Sequence, residues 1–405
     1  MASAAAGAGN ESPIDLRPYG FNLTLTAELT HSQYVHALRE GAQNVRYIVS
    51  ENVDSCIFKS KEDTLQYKKI KKITTGHYGS VFVYADPDGK KVAIKKISFD
   101  DSDPLVQTAN FLRECIIQII LAETSKQYNQ VNIGVPITYK IGLSQNKYEG
   151  FIVFELMEDT LFDFLLSKDN EEIDIIIPDA LLQVAGILDF FQKKLRFNHR
   201  DMKTDNIMYT MVDGRPIYKI IDFGMSCLMW NQLNIVTTIG PYSTCFREGR
   251  DLAQLIYELL SYNRNLSVRL KEWMLQLKLA PDGTSWFNSY RYFNRQTIFQ
   301  ATPQKITTGI QGLPFYRPFV APAAAASAAP APSPASAAAL VNIHGPVKAK
   351  TPLGSLSLSP SSSLNSIASL NIELTGTRGG YKRKGKCNRK KTRNLRKRRR
   401  ITRRQ

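Results

Sequence analysis

The sequence predicts an α+β protein with two unequal lobes, followed by a long segment that does not fold. Short apolar runs separated by turn residues dominate residues 67–156, and longer apolar runs at helical spacing dominate from residue 176 onward. Strands that precede helices in this way are typical of α+β folds. The composition changes after about Phe319, where nineteen of the twenty residues 321–340 are Ala, Pro or Ser.

The smaller lobe is predicted to be rich in strands. Turn residues between Tyr84 and Gly89 separate two apolar runs, so Val81–Tyr84 and Val92–Ile97 are expected to pair as a hairpin. Apolar residues recur at helical spacing from Leu105 to Thr124, which predicts a helix. Another short helix is expected around residues 27–42.

The larger lobe is predicted to be mainly helical. A long buried helix is expected from Ile176 to Lys194, with its start near Pro178, and another from Leu252 to Tyr262. Two short strands, Asn206–Thr210 and Tyr218–Ile221, are expected to flank a turn.

Composition divides the chain into four segments: an N-terminal extension (1–66), a folded domain (67–319), an Ala/Pro/Ser-rich linker (320–377) and a basic tail (378–405). The linker cannot bury enough apolar surface to offset its chain entropy, so it is expected to be disordered. The formal net charge is +17, and the tail alone carries sixteen Lys and Arg without an acidic residue. The rest of the chain is therefore close to neutral.

The cysteine pattern and the hydropathy predict an intracellular protein without a membrane partner. The five cysteines are scattered and include no CxxC pair, which argues against a disulfide framework or a zinc module. They are Cys56, Cys115, Cys227, Cys245 and Cys387. No uncharged apolar stretch approaches 18 residues, and the first residues lack the features of a secretory signal.

The most specific pattern is the run from His199 to Asn206, HRDMKTDN, followed by DFG at residues 222–224. HRD, at the start of this run, and DFG both belong to the protein-kinase signatures. Each alone would be weak evidence, but their order and spacing together favour a protein kinase. Phosphoryl transfer needs metal ions over the phosphates, a positioned hydroxyl and charge compensation. Asp222 and Asn206 are predicted to hold Mg²⁺. Asp201 is predicted to accept the hydroxyl proton, and Lys203 to reach the γ-phosphate.

A second pattern ends an apolar strand with a lysine, in the run VAIK from Val92 to Lys95. A buried lysine costs stability unless anions accompany it, and phosphate oxygens together with a carboxylate would supply them. Glu114, 19 residues later on the predicted helix, is the favoured partner, and Glu123 is the alternative. The competing interpretation is that Lys95 reaches out to solvent.

A glycine-containing run precedes that strand. Residues 74–81, TTGHYGSV, match the pattern GxGxxGxV with Thr74 in place of the first glycine. Gly76 and Gly79 would let the backbone approach phosphates closely. Two glycines near a hairpin are usually only a turn, so this signal depends on Lys95 lying 16 residues beyond Gly79.

Together these motifs resemble the eukaryotic protein kinase superfamily from about residue 67 to about residue 300. The resemblance implies the bilobal protein kinase fold, with ATP and Mg²⁺ in the cleft. It implies that Val81 and Ala93 cover the adenine from above and Met208 from below. Residues 154–157 resemble the hinge, where backbone groups of Glu155 and Met157 would bond the adenine edge. The implied nucleotide-binding residues are Thr74, Gly76, Gly79, Val81, Ala93, Lys95, Glu155, Met157 and Met208.

The match also departs from the family. Only 29 residues separate Asp222 from Asp251, which resembles the buried aspartate of the next large helix, and no Ala-Pro-Glu motif lies between them. The segment that usually seats a protein substrate is therefore shortened. Arg200 would ordinarily pair with a phosphate on that segment. Its candidate phosphorylation sites are Ser226, Thr237, Thr238, Tyr242, Ser243 and Thr244.

The basic tail is expected to stay unfolded and to bind polyanions in a salt-dependent manner. Three interpretations of it stay open: a nuclear import signal, a nucleic-acid or virion packaging anchor, and a solubilising tail. Compact kinases and basic tails of this kind resemble those encoded by large DNA viruses. That resemblance implies a location in the host nucleus or the virion, with the cytoplasm as the alternative.

The leading functional hypothesis is a protein kinase, and Lys203 within the catalytic loop resembles the serine/threonine branch. The alternatives are a pseudokinase scaffold, a polyanion-binding protein whose kinase-like domain is secondary, and a small-molecule kinase. A pseudokinase would lack a catalytic group, whereas Lys95, Asp201, Asn206 and Asp222 are all present.

Overall fold

A computed structural model describes residues 12–76, 79–99, 103–236, 246–262, 266–276, 301–314 and 316. All of them belong to the unit Met1–Pro330, one of two units into which the chain divides. The predicted linker and basic tail lie outside the described residues.

The first half of the described chain consists mainly of strands. They are β1 (Ile14–Asp15), β2 (Thr24–Leu25), β3 (Tyr47–Glu51), β4 (Ser55–Lys59), β5 (Thr64–Gly76), β6 (Gly79–Ala85), β7 (Lys91–Ser98), β8 (Thr138–Ser144) and β9 (Glu149–Glu155). The helices of this half are α1 (His31–Arg39), α2 (Gly41–Asn44) and α3 (Pro104–Gln127). The strands from β3 to β9 close into a barrel in the order β3-β4-β5-β6-β7-β9-β8, which a parallel pairing of β3 with β8 completes.

Aromatic side chains fill the interior of the barrel. Tyr47, Phe58, Tyr84 and Phe151 are buried there, and the rings of Phe58 and Phe151 lie 6.4 Å apart in an edge-to-face arrangement. Such pairs add packing energy to the burial of the rings themselves. Strands β6 and β7 pack on this filled interior, and both strands line one wall of a cavity.

The second half combines short strands with helices. Its strands are β10 (Asp159–Thr160), β11 (Ile207–Val212), β12 (Arg215–Ile220), β13 (Cys227–Trp230) and β14 (Leu233–Val236). Its helices are α4 (Leu161–Leu166), α5 (Asn170–Leu195), α6 (Arg250–Tyr262), α7 (Val268–Gln276) and α8 (Pro303–Gln311). The predicted α+β fold, with a strand-rich lobe followed by a helical lobe, is confirmed.

The start predicted for the long helix near Pro178 is wrong. Asp169 caps α5 by accepting a hydrogen bond from the backbone N–H of Glu172 at 2.9 Å, and the Glu172 side chain accepts from the Asp169 N–H. This capping box begins the helix before the proline, and Pro178 lies inside the helix. Apolar periodicity indicates the buried part of α5, whereas its polar first turn has no such periodicity.

The helix expected around residues 27–42 is shorter than predicted. Thr30 caps α1 and accepts from the Gln33 N–H at 3.3 Å, so the helix begins at His31. It ends at Arg39, and α2 follows as a separate short helix.

The N-terminal extension is part of the strand-rich lobe. Strands β3 and β4 come entirely from residues before 67, and β5 begins at Thr64. The boundary predicted at residue 67 therefore cuts through one barrel. Strands β3 and β4 have five residues each, so the alternation of apolar and polar residues along them is too short to indicate which sheet they join.

The described cysteines differ in their bonding. Cys56 and Cys115 are free and buried, whereas Cys227 is disulfide-bonded, which the scattered cysteine pattern does not predict.

Among the described helices, α3 alone is long and apolar enough to cross a membrane, and most of its apolar stretch is buried in the protein. A core helix passes that test as readily as a membrane span.

Candidate active site

A cavity of about 550 Å³ lies between the barrel and the helical lobe. Strands β6 and β7 line its upper wall, and the loop before β11 lines its lower wall. The predicted site residues that line it are Gly79, Val81, Ala93, Lys95, Glu114, Met157, Lys203, Asn206, Met208 and Asp222. Residues that are 143 positions apart in sequence, such as Gly79 and Asp222, thus meet in one cleft.

Lys95 stands at the back of the cleft between two carboxylates. Its Nζ lies 2.7 Å from Glu114 Oε1 and 3.7 Å from Asp222 Oδ1. Glu123, the alternative partner, instead accepts from Tyr19 and Lys126. The predicted pairing of Lys95 with Glu114 is confirmed. The Lys95 side chain is only 18% exposed, so the interpretation that it reaches solvent is wrong.

The two carboxylates keep Lys95 charged. Burial by itself lowers the pKa of a lysine, but the charges of Glu114 and Asp222 outweigh it and raise the pKa of Lys95 above its usual value. A permanent ammonium group therefore faces the cavity, beside carboxylates that hold it in place. This is the charge distribution that suits an anionic ligand such as a phosphate.

The catalytic-loop motif forms a compact polar cluster. Asp201 Oδ2 accepts hydrogen bonds from Lys203 Nζ at 3.0 Å and from Asn206 Nδ2 at 3.2 Å. Asn206 Nδ2 also donates to the Asp201 carbonyl at 2.8 Å. Asp201 does not line the cavity itself, but these bonds place its carboxylate beside the two residues that do.

Two residues of the motifs hold strained backbone conformations. Arg200 has φ 69° and Asp222 has φ 67°, in the left-handed region that side chains other than glycine rarely adopt. Such conformations persist only where the surroundings impose them, and they concentrate at functional sites. Asp222 lines the cavity, and Arg200 directly precedes Asp201 in the catalytic loop.

A buried carboxylate anchors the loop from below. Asp251, at the beginning of α6, accepts from the backbone N–H groups of His199 at 2.8 Å and Arg200 at 2.9 Å, and from Asn198 Nδ2 at 2.9 Å. It is fully buried. Asp251 therefore occupies the position that the sequence predicted, although it lies far from the loop along the chain.

The motifs of the two loops are also tied to each other. His199 Nε2 lies 2.9 Å from the Ile221 carbonyl, and the Phe223 ring packs 5.5 Å from the His199 ring. Phe223 is fully buried, whereas the preceding Asp222 faces the cavity. Packing of Phe223 inside the core thus directs the Asp222 carboxylate into the cleft.

One contact of the catalytic loop is not part of any sequence motif. Glu258, on α6, accepts from the Thr204 backbone N–H at 2.5 Å. Burial raises the pKa of Glu258 to about 7, against the effect of this hydrogen bond. Seven residues separate Glu258 from Asp251, so both lie on one face of α6. That spacing is the only signal that could have indicated Glu258.

The other end of the cavity is apolar. Val81 and Ala93 line it from the barrel, and Met208 lines it from the helical lobe. Phe154 and Met157 line the wall between the two lobes. If a flat heteroaromatic ring entered between these side chains, they would shield both of its faces from water.

Glu155 does not line this cavity. Its carboxylate binds Lys219 Nζ at 2.7 and 2.8 Å, and its backbone N–H donates to the Ile137 carbonyl. Of the backbone groups assigned to the adenine edge, the N–H of Glu155 is therefore already occupied. Its carbonyl is the group of this residue that stays a candidate.

The glycine-containing run spans the end of β5 and the beginning of β6. Thr74 pairs with Val81 and Gly76 with Gly79, and the intervening residues 77 and 78 lie outside the described residues. Gly79 has φ 145°, and a Cβ at this position would lie 2.2 Å from the Lys96 carbonyl oxygen. Gly79 is therefore required by close backbone packing.

The donors suited to Mg²⁺ are an amide oxygen and a carboxylate. Because Asn206 Nδ2 is bonded to Asp201, the Asn206 Oδ1 atom points elsewhere, and no described group donates to it. Within the described residues, no cluster of three or more His, Cys, Asp or Glu forms a metal cage. Mg²⁺ typically takes one or two protein oxygens together with substrate phosphates, so Asn206 and Asp222 fit the ion in the company of a nucleotide.

One of the candidate phosphorylation sites after Asp222 is buried. Ser226 donates from its hydroxyl to the His199 carbonyl at 3.2 Å and is fully buried, so it is closed to modification in this conformation. The other candidates, residues 237, 238 and 242–244, lie outside the described residues.

Comparisons with known proteins find similarity to protein kinases. The family model of the protein kinase domain matches residues 67–243. Cyclin-dependent kinase-like 4 of Mus musculus is 30% identical over 165 residues, which is 40% of this chain and 44% of that protein. Cyclin-dependent kinase 9 of Xenopus tropicalis is 26% identical over 186 residues, which is 44% of this chain and 46% of that protein.

The chain thus spans less than half the length of these curated relatives. Among solved structures, vaccinia related kinase 3 matches with a TM-score of 0.42 and 14% identity, over 69% of this chain and 94% of that chain.

Proposed function

Since the chain carries a protein kinase domain of the eukaryotic superfamily, we propose that it transfers the γ-phosphate of ATP to serine or threonine hydroxyls of protein substrates. One observation supports this most strongly. A buried, charged Lys95 and the cluster around Asp201 face each other across a cavity whose far end is apolar. This arrangement suits a nucleotide bound with its base in the apolar end and its phosphates between the charged groups.

Lys95 would bind the phosphates that are not transferred. Glu114 holds the ammonium group by the 2.7 Å bond, so little further ordering is needed when the nucleotide enters. Mg²⁺, held by Asn206 Oδ1 and the Asp222 carboxylate, would neutralise charge on the phosphates when bound.

Asp201 would position the acceptor hydroxyl and take its proton. In the reaction the hydroxyl oxygen forms a bond to the γ-phosphorus, and the bond from that phosphorus to the β–γ bridging oxygen breaks, which leaves ADP. The proton goes to the Asp201 carboxylate. The hydrogen bonds from Lys203 and Asn206 orient this carboxylate before the substrate arrives.

Lys203 would stabilise the phosphoryl group during transfer. Burial lowers its pKa, but the carboxylates of Asp201 and Asp222 raise it above the usual value, so the ammonium stays charged. A lysine in this position of the catalytic loop is the feature that favours serine and threonine over tyrosine as acceptors, by resemblance to that branch of the superfamily.

The proposal is tested by incubating the full chain with Mg²⁺, γ-labelled ATP and a general substrate such as histone or casein. Asp222→Asn and Lys95→Met should each lower the transfer rate about 10²- to 10³-fold, because several kcal/mol of charge stabilisation are lost. Both variants should keep the circular dichroism spectrum of the wild type.

Lys219→Met provides the matched control for the lysine change, because Lys219 is also buried but pairs with Glu155 away from the cavity. Its rate should stay within a few-fold of the wild type. If the wild type binds nucleotide but transfers no more phosphate than Asp222→Asn, the chain is a pseudokinase.

A second activity is proposed for the tail. Residues 378–405 contain sixteen Lys and Arg and no acidic residue, which favours binding to a polyanion such as nucleic acid. The same basic segment would serve as a packaging anchor or as a nuclear import signal. A chain truncated after Gly376 should lose most of the affinity for duplex DNA and most of the salt dependence. Equal affinities at all salt concentrations would remove this proposal.

A further inference from the structure

Residues 12–46, here called the brace, cover one face of helix α3. Helices α1 and α2 of the brace lie against α3, and several brace residues share one apolar cluster with it. The shared cluster includes Leu16, Phe21, Leu25, Tyr34 and Leu38 of the brace. Helix α3 is the helix that carries Glu114, the partner of Lys95.

The covered face is the one opposite Glu114. Leu112 and Glu123 both contact the brace, and their separation of 11 residues places them on nearly the same side of the helix, about 20° apart. Glu114 is two residues beyond Leu112 and therefore about 200° away around the helix axis. The brace thus supports α3 from behind, while Glu114 points into the cleft.

Two contacts fix the brace to this face at separate points. Near the middle of α3, α2 lies directly on Leu112: a Cβ at Gly41 would be 2.2 Å from Leu112 Cδ1. Three turns further along, the Tyr19 hydroxyl donates to Glu123 Oε1 at 2.5 Å. Two contacts along one face resist both translation of the helix and pivoting about either end.

Other elements enclose the remaining faces. Strand β14 of the hairpin that follows Asp222 also lies against α3, and Leu228, Trp230 and Ile235 of that hairpin belong to the same apolar cluster. From Phe111 to Ser125, every residue of α3 is buried except Arg113, Glu114 and Glu123, which are partly exposed. A helix that is apolar on nearly all sides is stable only when it is enclosed.

In protein kinases the lysine–glutamate pair must be in place for transfer, and the position of its helix commonly controls activity. We propose that the brace holds α3 so that the Lys95–Glu114 pair forms without a partner protein and without phosphate on the segment after Asp222. Tyr19 and Gly41 are then positioning residues, because they act on Lys95 through α3. This inference rests on the proposed kinase function.

The test compares two brace variants with matched controls, in the full chain after phosphatase treatment. Gly41→Leu inserts a side chain against Leu112, and Gly186→Leu is its control, because a Cβ at that exposed helical glycine meets nothing within 4 Å. Tyr19→Phe removes the hydroxyl bonded to Glu123, and Tyr139→Phe removes a hydroxyl bonded to the exposed Lys90.

The dephosphorylated wild type should transfer phosphate at the same rate as before treatment. Gly41→Leu should lower kcat at least about tenfold and Tyr19→Phe about threefold, whereas both controls stay within twofold. Loss of wild-type activity on phosphatase treatment, or equal rates for Gly41→Leu and Gly186→Leu, would overturn the proposal.

A double-mutant cycle separates positioning from general destabilisation. If the brace acts through Glu114, Gly41→Leu should reduce kcat by less than twofold when it is added to Glu114→Gln, because the pair is already lost. Independent destabilisation would multiply the two effects, and that outcome would contradict a positioning role.

Hydrogen exchange keeps this test distinct from that of the kinase function. In the absence of nucleotide, amides of residues 110–120 should exchange at least about tenfold faster in Gly41→Leu than in the wild type. Tyr19→Phe, the milder change, should show a smaller increase and serves if Gly41→Leu does not fold. An inactive wild type with this exchange pattern refutes the kinase function alone, and unchanged exchange in both variants refutes the brace.

Discussion

Glu258 shows how a single side chain can make the catalytic loop sensitive to pH. Burial raises its pKa from 4.5 to about 7, while its carboxylate accepts from the Thr204 N–H. A carboxyl group whose pKa is higher in the folded state than in the unfolded state stabilises the fold while it is protonated. This contribution is complete at pH values below the unfolded-state pKa. That contribution is lost as the pH rises from about 4.5 to about 7.

We expect Glu258→Gln to remove this pH dependence. The amide keeps an oxygen that can accept from Thr204 but cannot ionise. At pH 8 the variant should be more stable than the wild type by about 1–2 kcal/mol, after allowance for partial solvent screening, and near pH 5 the difference should shrink. Urea unfolding at a series of pH values measures this, and a constant difference between pH 5 and pH 8 would contradict it.

At this scale, the sequence predicted the residues that form contiguous motifs. Asp201, Lys203 and Asn206 lie within six positions of one another, so a pattern can identify them together. Thr204 and Glu258 meet only after α6 folds under the loop, and no local pattern joins them. The orientation of Glu155 toward Lys219 was likewise unpredictable, because that partner lies 64 positions away.

At the scale of elements, α6 is the support of the catalytic loop. The Asp251 carboxylate at its beginning satisfies two buried backbone N–H groups and the side-chain amide of Asn198. The strained backbone at Arg200 is held by this same interaction. Loss of the carboxylate would leave the donors buried without a partner, which costs more than the bonds themselves contribute.

Asp251→Ala should therefore destabilise the protein by about 3 kcal/mol or more and also lower kcat. Asp189→Ala, which removes an exposed aspartate paired with Lys193 on α5, should change stability by less than about 0.5 kcal/mol. The two unfolding curves in urea provide the comparison. Similar midpoints for both variants would show that Asp251 does not anchor the loop.

Element types were easier to predict than element boundaries. The apolar spacing of α3 and the turn between β6 and β7 indicated the correct structures. The start predicted for α5 is wrong because its first two turns are partly polar, whereas the apolar periodicity begins only near Pro178. The β13–β14 hairpin was not predicted, since its two strands have only four residues each.

At the scale of the whole molecule, the N-terminal residues have a larger part in the fold than composition suggested. They provide β3 and β4 to the barrel and the brace to α3. Both contributions depend on contacts between distant segments, which sequence periodicity does not encode. The N-terminal residues therefore support the strand-rich side of the cleft, through the barrel and through α3.

The central claim is that this cleft catalyses phosphoryl transfer with Asp201 as the group that receives the hydroxyl proton. The most direct measurement follows label from γ-labelled and α-labelled ATP into serine, threonine and tyrosine of a protein substrate, for the wild type and Asp201→Asn. We expect label only from the γ position, on serine or threonine, and a rate about 10²- to 10⁴-fold lower for the variant. Equal labelling by wild type and Asp201→Asn would contradict the claim.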